Sequence, residues 1–259
     1  KRSEKDGQLY KMSKSKGNVV SPDELIREYG ADTMRVYTLF IGPPEKDAEW
    51  SDQGIEGSSR FLRRIWRRIY DTLPMLKESA GLAPDRGAMT PAELDLHRKT
   101  HDTIARVTQG MESDFHFNTA IALIMELMNA IDGFAPSPQG GPQHRAVYHE
   151  AIEALVLLLS PFAPHIAEEL WGELGHEPGS ILRTPWPAAD QAALVRETVE
   201  IVLQVNGKVR DRLTVPAGLD AAQLEKTALA SAAVQRHIAG KTVRKVIVVP
   251  GKLVNIAVG

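Results

Sequence analysis

The sequence predicts a mainly α-helical protein: a helical bundle, preceded by a short loop-bearing segment and followed by a small α+β domain of order ββαββ. Three observations predict it. From residue 51 to about residue 175, apolar side chains recur at three- and four-residue steps, the period of an amphipathic helix. Beyond residue 197 the period drops to two, with Val199, Ile201, Leu203 and Val205 alternating with other residues as in a half-buried strand. Between these regimes Ser180 to Asp190, containing Thr184-Pro185-Trp186-Pro187, is irregular linker. The expected divisions are therefore 1–50, 51–190 and 197–259.

Taken in order, Lys1 to Tyr10 reads as the remnant of a hairpin with Asp6-Gly7 as its turn. Lys11 to Asn18 (KMSKSKGN) follows as a short cationic loop, its ammonium groups compact point charges and its serines hydrogen-bonding groups suited to a polyphosphate. Ser21 as N-cap, Pro22 at the first helical position and Glu24 predict a helix that Gly30 stops near Tyr29. Asp32 is placed to cap a second helix carrying Met34, Tyr37 and Phe40 on one face, ended by Ile41-Gly42-Pro43-Pro44. The two helices pin the downstream end of the loop and leave the loop free to close over a ligand.

A long helix from Ser51 or Asp52 to about Leu76 puts Phe61, Leu62, Ile65, Trp66, Ile69 and Leu73 on one face. Arg60, Arg63, Arg64, Arg67 and Arg68 fall on the other, with Glu56 a partial partner, and read either as a solvated face or as a groove wall against RNA phosphates. Thr90, Pro91 and Glu93 open the next helix, which runs to about Met111. On it His97 and His101 stand at i, i+4 without a third ligand nearby, so surface histidines and no metal are expected. Asn118 opens a helix burying Ile121, Ile124, Met125, Met128 and Ile131, the loop from Ala135 to Pro142 follows, and a further helix spans Val147 to Leu159. A last helix starts at Pro164, where His165 lacks the His-Glu-x-x-His spacing and is read as a packing or capping residue.

In the terminal domain Asn206-Gly207 predicts a type I′ hairpin turn. The return strand is read with Val209, Leu213 and Val215 on one face and Lys208, Arg210 and Arg212 on the other. A helix from about Ala221 to His237 and a second hairpin around Pro250-Gly251 complete the domain, with Lys241, Arg244 and Lys245 before or on its first strand. Both cationic groups suit phosphate contacts to an RNA helix, which is read through shape and backbone. The domain has no Phe, Trp or Tyr, which argues against single-strand base stacking there.

Composition sets outer limits. The 259 residues carry 43% hydrophobic and 25% charged side chains, as ordinary globular chains do. No apolar run reaches membrane-spanning length. Zero cysteines exclude disulfides and Cys-based zinc sites, which fits a cytoplasmic protein. Net charge is −2, unevenly spread: 14 Lys and Arg against 11 Asp and Glu over residues 1–68, 8 against 18 over 69–198, and 9 against 4 over 199–259. Basic ends around an acidic middle fit RNA contacts at the ends.

Lys-Met-Ser-Lys-Ser is the signature loop of class I aminoacyl-tRNA synthetases. Within the longer phrases KMSKSKGNVVSPDELIREYGADTMR, GPPEKDAEWSDQG, FNTAIALIMELMN, VNGKVR and VIVVPGKLVNIAV the chain resembles the bacterial leucyl-tRNA synthetases over essentially its whole length. No His-Ile-Gly-His type sequence, no βαβ series and no editing domain is found, so the resemblance implies a C-terminal fragment. It implies a loop and stem-contact segment over 1–50, a class I anticodon-binding bundle over 51–190, and a tRNA-binding domain over 197–259. The family members activate leucine with ATP and Mg2+ and charge tRNA(Leu). By the same resemblance Lys11 and Lys14 stabilise phosphates in the adenylation transition state, while Met12, Ser13 and Ser15 shape the ATP-binding loop. The bundle's title misleads for the leucine enzymes, which recognise tRNA chiefly away from the anticodon. Their terminal domain binds the tRNA elbow and long variable arm. The fragment alone is expected to be an inactive, cytoplasmic monomer without bound cofactor. The alternatives are a free-standing tRNA-binding module, which would have no use for a complete signature loop, and a sister enzyme for valine, isoleucine or methionine.

Overall fold

Pro22, whose fixed φ suits a first helical position, opens α1 (Pro22–Tyr29), and Gly30 at φ 86° ends it in a conformation that a side chain would strain. Ser21 makes no side-chain capping bond, contrary to expectation. The computed structural model describes residues 10–13, 15, 18–43, 46–113, 115–134, 140–195 and 198–259. The expected hairpin remnant at residues 1–9, Lys14, and the loop interior at 135–139 lie outside those residues.

α2 (Ala31–Phe40) starts directly after Gly30. Asp32 does not cap it. The carboxylate is buried and accepts from the backbone N–H of Ile166 at 2.7 Å and from His165 Nδ1 at 2.7 Å, so it caps α7 (Pro164–Glu173) across the fold. Arg35 adds a second tie, donating to the carbonyls of Pro161 and Phe162.

α3 (Asp52–Glu78) begins where Ser51 Oγ accepts from Gly54 N–H, and its 27 residues span about 40 Å. It continues through Pro74, which forfeits one backbone hydrogen bond. The expected capping box opens α4 (Pro91–Ser113): Glu93 accepts from Thr90 N–H at 2.7 Å, and Thr90 Oγ1 accepts from Glu93 N–H at 3.4 Å. α5 (Phe117–Phe134) starts one residue before Asn118, and α6 (Pro142–Leu159) starts five before Val147. α8 (Gln191–Leu194) is a single turn.

The chain divides into two compact units, Lys1–Leu194 and Val195–Gly259. In the first, one apolar core runs from Val36 of α2 through α3 to α7 and on to Ile181, with Ile65, Ile124, Leu127, Tyr148 and Phe162 fully enclosed. Each such aliphatic or aromatic side chain contributes about 1.5–3 kcal/mol by leaving water.

The second unit holds β1 (Thr198–Val205), β2 (Lys208–Pro216), α9 (Ala221–Ala230), α10 (Ala232–Ile238), β3 (Val243–Val249) and β4 (Leu253–Val258). The sheet order is β2-β1-β4-β3, with β1 and β4 parallel and both hairpins antiparallel. The expected single helix is two, because Ser231 adopts an extended conformation and caps α10 through Val234 N–H. Ile201, Leu203, Leu224, Val234, Val254 and Ile256 form its separate core. Asn206 and Gly207 have φ of 51° and 75°, as a type I′ turn requires. The Asn206 side chain accepts from Val258 N–H at 2.9 Å and fastens the turn to β4.

Candidate nucleotide and RNA interfaces

Within the N-terminal loop the side chain of Asn18 does the closing. Its Oδ1 accepts from Ser13 N–H at 2.8 Å and its Nδ2 donates to the Lys11 carbonyl at 3.3 Å, drawing the two ends of the loop together. Ser13 and Ser15 hydroxyls lie 3.3 Å apart, Met12 is half-buried, and Lys11 is exposed with no ion pair among the described residues. An exposed ammonium beside two hydroxyls fits a polyphosphate. Asn18 was missed as a site residue because a loop asparagine has many local uses.

The structure gathers the α3 arginines along one groove of about 500 Å³, lined by Arg60, Arg63, Arg64, Arg67 and Arg68 with Asp71 and Asp132. They are not equivalent. Arg64 and Arg68 both donate to Asp132 of α5 at 2.6 Å, and Arg64 also to Asn129 at 2.7 Å, so these two join helices as well as lining the groove. Arg60 reaches Glu56 at 3.4 Å across an exposed i, i+4 pair worth only a few tenths of a kcal/mol. Arg63 and Arg67 have no ion pair among the described residues, which leaves their guanidinium forks open to phosphate.

In the second unit the even alternation expected along β2 fails. A register shift opposite Leu203 and Gln204 leaves Arg210 unpaired in a bulge, so Arg212 and Lys208 point to opposite sides of the sheet. Arg212 is paired with Val202 on the open face and donates to Glu200 at 2.8 Å. Arg210 instead belongs with Arg236 and Lys241, which the sequence reading had not linked, around His237. Burial and the three cations hold that imidazole's pKa below its ordinary value. Arg244 also falls at a register shift, while Lys245 pairs with Ala257 on the other edge strand, β3. Lys208 and Arg212 on β2 and Lys245 on β3 therefore occupy opposite edges of the sheet, with β1 and β4 between them, whereas Arg210 and Lys241 both act on His237.

His97 and His101, expected at the surface, are buried, and their rings meet edge to face at 4.5 Å. The partner that sequence spacing could not supply is Glu150 of α6. His97 Nδ1 donates to it at 2.6 Å and His101 Nε2 at 3.3 Å. Burial pushes the Glu150 carboxyl up, but the two imidazole hydrogen bonds outweigh it and hold its pKa at about 2. These three side chains place ligand atoms within 4.8 Å of one another. However, Asp190 N–H donates to His101 Nδ1 at 3.1 Å, so the proton of that ring sits on Nε2 and faces Glu150. Binding a metal through His101 Nε2 would require the opposite tautomer, with Nδ1 donating. The arrangement is a hydrogen-bonded tie joining α4, α6 and residue 190.

No helix among the described residues is long and apolar enough to cross a membrane. Residues 94–226, just over half of the chain, match the family model described as anticodon-binding domain of tRNA ligase, and residues 3–51 match class I tRNA synthetases (I, L, M and V). The leucine--tRNA ligase of Syntrophobacter fumaroxidans is 54% identical over 98% of the chain, and that of Geotalea uraniireducens is 51% identical over the same share. The chain spans about 30% of the length of these relatives, in their C-terminal part. Among solved structures, the ternary complex of Agrobacterium radiobacter K84 agnB2 LeuRS-tRNA-LeuAMS matches with a TM-score of 0.80 at 31% identity, covering 96% of this chain and 31% of that one. By the match over residues 94–226, the chain belongs to the family of the anticodon-binding domain of tRNA ligases.

Proposed function

We propose that this chain is the C-terminal part of a leucine–tRNA ligase, supplying the ATP-facing loop and the tRNA-binding surfaces of a cytoplasmic, monomeric enzyme. The observation that carries the reading is a 54% identity that extends over 98% of the chain, signature loop and terminal hairpin included. In that enzyme leucine and Mg2+-bound ATP give the adenylate and pyrophosphate, and the leucyl group passes to the terminal adenosine of tRNA(Leu). Lys11 and Lys14 neutralise the phosphates as charge develops on them. Ser13, Ser15 and Asn18 hold the loop's shape, and Asn18 fixes the carbonyl of Lys11 itself. Arg63 and Arg67 on α3, with Arg210 and Lys241 in the terminal unit, take tRNA phosphates. Arg60, Arg64, Lys208, Arg212, Arg244 and Lys245 contribute more weakly, by their pairing or their place at the sheet edges.

The test is binding of this chain to leucine tRNA, with and without its long variable arm, across a salt series. Arm-dependent binding with a steep salt dependence is expected. Equal, weak binding to any tRNA would refute recognition by this part. The isolated chain is expected to show no leucine-dependent pyrophosphate exchange, and measurable exchange would overturn its assignment as half of an active site.

A further inference from the structure

Beside the arginine groove lies a second concavity of about 790 Å³, inside the range of pockets that hold small ligands. Leu62, Trp66, Tyr70 and Ile166 supply its apolar wall, and Arg63 and Arg67 stand at its rim. Trp66 and Tyr70 are stacked at 4.6 Å with an interplanar angle of 24°, half-buried and 37% exposed respectively. Trp66 would complete a core if it were enclosed, and Tyr70 would be an ordinary surface residue if it stood alone. Stacked at the mouth of a pocket, they form a flat aromatic step.

The two concavities share Arg63, Arg67 and Asp71. A strand whose phosphates follow the arginine groove therefore passes the mouth of the aromatic pocket. Cationic tracking of a backbone beside an aromatic step is how unpaired nucleotides are held, and guanidinium groups add stacking of their own. A paired base in an A-form helix cannot present its face to such a step, because both faces are stacked within the duplex. At the pocket lining, Thr33 and Asp71 offer hydrogen-bonding groups to a base edge. We propose that this pocket receives one unpaired base of the bound RNA, stacked on Trp66 and Tyr70, while Arg63 and Arg67 hold its flanking phosphates. The proposal rests on the tRNA reading above and adds an unstacked nucleotide to it.

The experiment measures binding of a short single-stranded oligoadenylate, a blunt RNA duplex and leucine tRNA to the 259-residue chain. The oligoadenylate is expected to quench tryptophan fluorescence and to compete with tRNA, and the duplex to do neither. Trp66→Leu should weaken oligoadenylate binding about tenfold with an unchanged salt slope, and Trp66→Phe should keep most of the affinity. Arg63→Gln with Arg67→Gln should flatten the slope by about 0.7 for each lost contact. Tyr70→Leu, at an exposed position, repeats the test should Trp66→Leu melt early. Wild-type binding of oligoadenylate and tRNA by Trp66→Leu and Tyr70→Leu, or duplex binding equal to that of the single strand, overturns the pocket. Shielding of Trp66 from acrylamide in a full-length ligase without RNA gives the groove to another part of that protein and overturns it too. Loss of arm dependence with the Trp66 effect intact sinks the leucine-tRNA reading alone.

Discussion

Glu150 keeps its charge in a place where burial by itself raises its pKa, because His97 and His101 both donate to it. Its folded pKa of about 2 lies below the ordinary 4.5. Its contribution is therefore fully present above the unfolded value and is lost as pH falls through the folded one. A displacement of that size corresponds to about 3 kcal/mol as an order of magnitude. Urea denaturation at pH 7 and again near pH 3 should show the wild type losing stability that Glu150→Gln, already less stable at pH 7, has little left to lose. Equal losses in both proteins would refute the role given to the carboxylate. The i, i+4 spacing of the histidines was legible in the sequence. Their burial was not, since the acceptor comes from another helix, 49 and 53 residues away.

Among the elements, β2 separates what sequence pattern can reach from what it cannot. The turn before it was legible because only Asn and Gly readily take positive φ at adjacent positions. The capping box of α4 was legible for a similar local reason. The bulge at Arg210 carries no such mark, and one extra residue reverses the facing of every side chain beyond it. Arg210 and Arg212 therefore differ in what they can offer RNA, although the sequence reading treats them alike. Arg210→Ala should lower the salt slope of tRNA binding by about one contact, and Arg212→Ala by less, because Arg212 already donates to Glu200. Equal effects of the two changes would restore the flat-strand view. On α3 the apolar and basic stripes were legible from periodicity alone, yet the pairing of Arg64 and Arg68 with Asp132 needed α5 in place.

At the scale of the whole molecule, the fold class was written in two periods, 3.6 and then 2, and the loop was written in its own residues. Long-range ties were invisible, and the one between α2 and α7 has the widest reach. Asp32 and Ile166 are 134 residues apart. During synthesis the carboxylate leaves the ribosome long before its two donors, so the helix carrying it waits on nearly the whole bundle. Closing a span of that length costs only logarithmically more than closing a short one, which makes a late clasp affordable. Asp32→Ala should speed unfolding and leave refolding unchanged, at a loss of about 1 kcal/mol; slower refolding would mean that the clasp forms early. On the expected outcome the segment behind the N-terminal loop takes its final seat only when the other end of the bundle arrives, so that a stretch translated early is among the last to be fastened.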